Sequence, residues 1–79
     1  MKLIVLSPEK ELLTADVVAV ELPGSKGRFE ILANHAPLVT SLAKGEVKWK
    51  TEMELDFELM EVEGGFAEVK ENVVTVCVE

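Results

Sequence analysis

Short apolar runs rich in valine, each closed by turn residues, recur about every ten residues along this chain. No window keeps apolar residues at i, i+3, i+4 and i+7 over three helical turns, so no stretch offers the stripe on which a helix packs. The pattern predicts an all-β sandwich or barrel. With 79 residues at 48% hydrophobic content, a single layer could not hide the apolar side chains. Two packed layers are expected, burying roughly 60–65% of the unfolded surface. No repeat, low-complexity tract or linker interrupts the pattern, so residues 1–79 are read as one domain.

The punctuation places the strands. Residues 3–6 make the first, ended by Ser7-Pro8, and Leu12-Leu13 a brief second before Asp16. Residues 17–22 are almost continuously apolar, as in a strand covered on both faces or twisted between layers. Residues 37–42 form another, closed by Lys44-Gly45. Residues 46–50 alternate cleanly and put Val47 and Trp49 inward; a buried indole N–H then needs a partner. Residues 54–59 alternate too, but the apolar phase moves from odd to even positions at Met60 and Val62. One extra residue near Leu59-Met60 would restore it, which predicts a β-bulge there. Gly64-Gly65 and Glu71-Asn72 are expected as turns on either side of a strand over 66–70. The β-branched run 73–78 is expected to be central in its sheet.

Charge narrows the function. The net charge is −7 and the eight bases are scattered, with no basic stripe to collect phosphates, so nucleic acid is not an expected partner. Glu52, Glu54, Asp56, Glu58, Glu61 and Glu63 crowd one segment, read as a solvated strand face that keeps an edge unpaired. The four apolar residues 3–6 are too few for a signal-peptide core or a membrane span, and the chain reads as cytosolic. One cysteine, Cys77, permits no internal disulfide and no metal site by itself; within a strand run it is expected as a small core residue. No cofactor is expected.

Catalytic patterns are missing as well. His35 has no nucleophile and orienting group in its motif, and Ser7, Ser25 and Ser41 do not stand in G-x-S-x-G. Gly24-Ser25-Lys26-Gly27 resembles a phosphate-binding loop only in composition.

The stretch over residues 22–40, LPGSKGRFEILANHAPLVT, organises the rest. Pro23-Gly24 is a turn-forming pair, Phe29, Ile31 and Leu32 supply a strand, and Asn34-His35-Ala36-Pro37 breaks it. Together with GGFAEVKENVVTV at 64–76, this string resembles the epsilon subunit of F-type ATP synthases, called delta in mitochondria. Relatives read G-x-F/L-G-I-L-x-x-H-x-P-L and then G-G-F-x-E-V. Here Glu30 stands in place of a glycine and Ala33 in place of a common proline.

The resemblance implies a flattened sandwich of about ten short strands in two five-stranded sheets. It implies a non-catalytic rotor subunit of the central stalk, gripping a gamma subunit and resting on the c-ring. It places Ser7, His35 and Thr40 toward gamma, and the loop Gly24, Ser25, Lys26, Gly27 and Arg28 toward the c-ring. Residues 1–79 have no counterpart of the family's C-terminal helical hairpin, to which inhibition of hydrolysis belongs. The chain is then expected as a monomer when isolated, reaching the cytoplasmic face of the membrane only through the complex. Two readings of His35 stay open, a structural imidazole bonded to a loop carbonyl and an interface contact. Arg28 is a solvated charge that pairs with Glu30 or touches the ring. Two other classes compete: a lipoyl or biotinyl carrier domain, with Lys50 as the nearest candidate lysine, and a free-standing acidic β-module that binds another protein.

Overall fold

A computed structural model describes all 79 residues. Nine strands account for well over half of them, and no helix forms: β1 (Lys2–Leu6), β2 (Glu11–Asp16), β3 (Ala19–Gly24), β4 (Gly27–Leu32), β5 (Leu38–Leu42), β6 (Gly45–Lys50), β7 (Glu58–Val62), β8 (Gly65–Lys70) and β9 (Val73–Val78). They hydrogen-bond into a single curled sheet in the order β2-β1-β9-β8-β5-β3-β6-β7, with β4 on the other edge of β3. The curl folds it into a sandwich of five strands (β2, β1, β9, β8, β5) against four (β4, β3, β6, β7). The two sides are joined where Gly24 pairs with Leu42. The expected pair of five-stranded sheets is thus five and four, with an unbroken seam.

Alternation builds the core. Leu3 and Val5 of β1, Val74 and Val76 of β9, and Ala67 and Val69 of β8 meet Val20 and Leu22 of β3, Ile31 of β4, and Val47 and Trp49 of β6. No polar or charged residue is buried among them, and no buried side-chain N or O lacks a partner. Trp49 is buried as expected, 6% exposed. Strand β9 is central, parallel to β1 and antiparallel to β8. The turn at Glu71-Asn72 holds, with both residues at positive φ (52° and 63°), the pairing a two-residue hairpin needs.

Several boundaries differ from the sequence pattern. The turn of the β3–β4 hairpin is Ser25-Lys26 rather than Pro23-Gly24: β3 runs on through Pro23 to Gly24, which pairs with Gly27. Pro23 is tolerated inside the strand because the ladder to β6 has already stopped at Glu21. Residues 17 and 18 precede β3 as a crossing segment tied to the Met1 and Lys50 carbonyls; Val17 is buried in the core and Val18 is exposed. Strand β2 is a full six residues instead of two.

The bulge expected at Leu59-Met60 is absent. Strand β7 pairs with β6 in unbroken register from Gly45↔Val62 to Trp49↔Glu58. The phase change arises because residues 51–57 leave the sheet, turned by Thr51 and Glu54, so the odd-phase apolar residues never face the core. Glu52, Glu54 and Asp56 therefore lie in a loop, not on a strand face. The irregularity falls in β2 instead: Val5 pairs with Leu13 and Leu6 with Glu11, leaving Leu12 extra.

Gly64-Gly65 is not a hairpin turn either. Strands β7 and β8 have different partners, and the glycines, at φ of 141° and 140°, carry the chain between the two sides of the sandwich. Cys77, expected in the core, points to the outer face, because Val74 and Val76 take the inward phase of β9.

Candidate functional site

The two outer faces of the sandwich differ in chemistry, and register alone explains it. On the five-stranded side, the outward phases align Ile4, Thr75, Glu68 and Val39 in one row. Leu6, Cys77, Phe66 and Ser41 form the next. Phe66 is 51% exposed and Val39 70%. Only Glu68 brings charge into the middle of this face; Lys2 and Lys70 stand at one end, on either side of Val73. On the four-stranded side the outward row is Glu30, Glu21, Lys48 and Leu59, a mixed charged surface. One side is apolar and unpartnered, the other is solvated.

Ser7 lies at the end of β1, and its hydroxyl is occupied. It donates to the carbonyl of Lys10 (3.1 Å) and accepts from the main-chain N–H groups of Glu9 (3.4 Å) and Lys10 (3.2 Å). The side chain therefore holds the β1–β2 turn. The same residue borders a groove of about 430 Å3 lined otherwise by Leu6, Pro8, Gly65, Phe66, Cys77, Val78 and the acidic Glu79. This puts Ser7 at a corner of the apolar face.

His35 sits at the opposite end of the strands. Its loop is fixed by Asn34, at φ 63°, whose N–H donates to Asn72 Oδ1 (2.8 Å) just before β9 begins. The imidazole Nδ1 lies 2.7 Å from the Ala36 carbonyl. A carbonyl can only accept, so Nδ1 carries a proton and donates to it. The bond to a loop carbonyl is the one the structural reading of this histidine expects, and the exposed side chain leaves the interface reading open. Ser7 and His35 do not meet: the length of β9 separates their loops, on the order of 15 Å at the usual strand rise.

Thr40 is in the middle of β5, opposite Ala67, with its hydroxyl donating to the Ser41 carbonyl (3.2 Å). It is half-buried, and its neighbours Val39 and Ser41 are the ones that face outward. The three residues form no cluster: Ser7 and His35 stand at opposite ends of the apolar face, while Thr40 lies on β5 in the inward phase. Sequence reasoning missed Val39 and Phe66, the most prominent side chains between them. The signal was available, since Phe66 shares its strand phase with Glu68 and Lys70.

The loop Gly24, Ser25, Lys26, Gly27 and Arg28 forms the tip of the β3–β4 hairpin. It is pinned to β5 by the Ser25 N–H on the Ser41 carbonyl (3.0 Å) and by the Ser41 hydroxyl on Ser25 Oγ (2.8 Å). Arg28 does not pair with Glu30. The two residues are two apart on β4 and share a face, but the guanidinium turns across the sheet to Glu21 and the Glu46 carbonyl. Arg28 Nη1 donates to that carbonyl (2.9 Å) and Nη2 approaches Glu21 Oε1 (3.6 Å). The tip and β5 share a groove of about 490 Å3, lined by residues 24–29 and 39–41. The loop and Thr40 are neighbours.

Acid chemistry is confined to the far hairpin. Glu54 accepts from the Thr51 N–H (3.0 Å), which holds its carboxyl below the ordinary value. Glu58 is raised above it, because its carboxyl shares a hydrogen bond with Glu54 and feels that charge. Lys50 closes β6 with Ala19 opposite and is half-buried, not at a hairpin tip as a carrier lysine must be.

The sequence profile of the ATP synthase delta/epsilon chain β-sandwich domain matches residues 1–79. The ATP synthase epsilon chain of Leptospira interrogans is 40% identical over the whole chain, which covers 61% of that protein. That of Caulobacter vibrioides is 38% identical over 94% of this chain and 84% of its own length. Among solved structures, a chain of the Euglena gracilis mitochondrial ATP synthase, in an assembly with the c-ring, superposes with a TM-score of 0.87 at 26% identity. It covers 96% of this chain and 48% of its own. A chain of the Tetrahymena thermophila mitochondrial ATP synthase central stalk and c-ring superposes at 0.79 and 18% identity, covering 98% of this chain and 61% of its own. The chain therefore spans about three-fifths of the Leptospira relative.

Proposed function

This chain belongs to the ATP synthase delta/epsilon family, as its β-sandwich domain, and from that premise we propose that it is a rotor part of an F-type ATP synthase central stalk. It carries no catalysis of its own. It transmits torque by holding a gamma subunit on one side and seating on the c-ring at the hairpin tip, on the cytoplasmic face of the membrane. The observation that carries the reading is the family match over every residue, together with an apolar outer face that has Ser7 and His35 at its two ends.

The division of labour follows from the two faces. Gamma binds where Val39 and Phe66 offer exposed apolar surface on the five-stranded side, since burying those side chains is a gain available to a partner on that face. His35 Nε2 and the hydroxyl-rich edge at Ser41 supply the hydrogen-bonding rim. The tip over residues 24–28 is polar and cationic through Lys26 and Arg28, suited to polar loops of the ring. A stiff transmitter is needed, and a close-packed sandwich without helices meets that demand.

The test is association. The purified chain, mixed with gamma-containing synthase lacking its own epsilon subunit, is expected to comigrate with gamma on size exclusion. Absence of comigration with any gamma-containing complex, under conditions where a known epsilon subunit binds, would defeat the proposal.

A further inference from the structure

We propose that residues 52–59, together with the free edge of β7, capture an extended basic segment of a second protein by strand addition. This stands independently of the rotor assignment. The segment reads E-M-E-L-D-F-E-L, with acids and large apolar side chains in strict alternation. That is a strand pattern, yet residues 52–57 belong to no ladder. Met53 is 92% exposed and Leu55 93%, while Leu59 is 56% and Phe57 36%. Scattered exposed apolar residues need no explanation, but four at alternate positions of one short segment would share a single side once that segment is drawn out as a strand.

The edge supplies the second half of the argument. Strand β7 ends the sheet and pairs only with β6, so the main-chain groups along its other side have no protein partner. An added strand would satisfy them, with main-chain hydrogen bonds for affinity and alternate side chains for specificity. Charge selects the partner. Glu52, Glu54, Asp56, Glu58, Glu61 and Glu63 flank the edge, and the bases nearest in register are Lys48, across from Leu59, and Lys50. Two copies of this edge would bring like charges together, so the same acids oppose self-pairing and favour a cationic strand. The occupant is a segment in which Lys or Arg alternates with apolar residues. The Thr51–Glu54 turn starts the segment, which leads directly into β7 without itself joining the sheet.

The test uses the isotopically labelled chain and a short peptide alternating lysine with valine, followed by amide NMR at about 150 mM salt, where exposed charges are screened beyond about 8 Å. Expected are shifts and slowed exchange along Glu58–Val62 and in residues 52–57. A peptide of the same sequence, N-methylated at alternate residues, keeps the charge but cannot form the ladder and is expected not to bind. The double variant Met53→Ser, Leu55→Ser keeps every acid and touches no core contact; it is expected to bind about tenfold more weakly. The proposal is overturned if the methylated peptide or the double variant binds as well as its counterpart, since charge alone would then suffice. Shifts confined to β2 or β4, or none, overturn it equally.

Discussion

Gly24 and Leu42 are the single Cα pair that joins β3 to β5, and through them the two sides of the sandwich are one sheet. The seam is extended by two bonds, Ser25 N–H to the Ser41 carbonyl and Ala43 N–H to the Pro23 carbonyl (2.8 Å). It leaves no room for a side chain. A Cβ on Gly24 would stand 2.7 Å from the Gly27 carbonyl oxygen and 3.0 Å from the Phe29 ring. Gly24→Ala is therefore expected to cost about 1–3 kcal/mol, the range for forcing atoms into a filled site. Chemical denaturation reads it directly, and an unchanged midpoint would mean that the hairpin tip shifts at no cost.

Trp49 is the heaviest member of the core, between Val20 of β3 and Glu58 of β7 in register. Trp49→Ala should cost on the order of 3–5 kcal/mol. With about 5–10 kcal/mol of total stability for a domain of this size, the variant would be close to unfolding at working temperature. A shift worth less than about 1 kcal/mol would contradict the burial of the ring.

The all-β class and the inward set of β6 could be read from period and punctuation, because those segments are amphipathic in phase with their own ladder. The errors share one cause: local pattern does not say who the partner is. Residues 54–57 alternate like a strand but have no ladder to join. Gly64-Gly65 looks like a turn because two glycines usually are one, yet β7 and β8 pair elsewhere. The positions Ser7, His35 and Thr40 came from resemblance, and their relative placement depends on long-range register that no short motif encodes. Val39 and Phe66 were legible in phase, but only the sheet order shows that their rows line up.

The carboxyl pair at the far hairpin gives a pH prediction. Glu58 is raised chiefly by its hydrogen bond to Glu54 and by that charge, and Glu54 is lowered chiefly by the Thr51 N–H. The signs are opposite. A raised Glu58 stabilises the fold when protonated, an effect present at low pH and lost as pH rises through its folded value. A lowered Glu54 stabilises it when ionised, lost as pH falls through its own folded value. Acidification from neutrality should thus first relieve a small repulsion and then, below the ordinary carboxylate value, loosen the turn at Thr51. Side-chain NMR titration should find Glu58 above and Glu54 below that value. In Glu54→Gln, Glu58 should return toward it. A Glu58 that stays raised there would exclude Glu54 as the cause.

The faces themselves can be told apart by placing acids on each. If gamma covers the five-stranded side, Phe66→Glu puts a carboxylate in the middle of the contact, next to the row that already holds Glu68. The new charge would be desolvated without a partner, so affinity for the gamma-containing complex should fall at least about tenfold, or about 1.4 kcal/mol. His35→Glu, at the border, should weaken binding less, since part of its side chain stays in water and only a hydrogen bond of the rim is lost. Arg28→Glu acts elsewhere. It removes the bond to the Glu46 carbonyl and sets a carboxylate beside Glu21, an exposed change worth at most about 1 kcal/mol of stability. Its affinity for gamma should be nearly unchanged, while seating on an assembled c-ring should loosen. Phe66 is half-exposed in the free chain, so its variant is expected to keep the wild-type denaturation midpoint, which separates a docking defect from misfolding. Titration of the gamma-containing complex with all three variants reads the order Phe66, His35, Arg28 in decreasing effect. An Arg28 variant that abolishes gamma binding while the Phe66 variant retains it would reverse the assignment of the two surfaces.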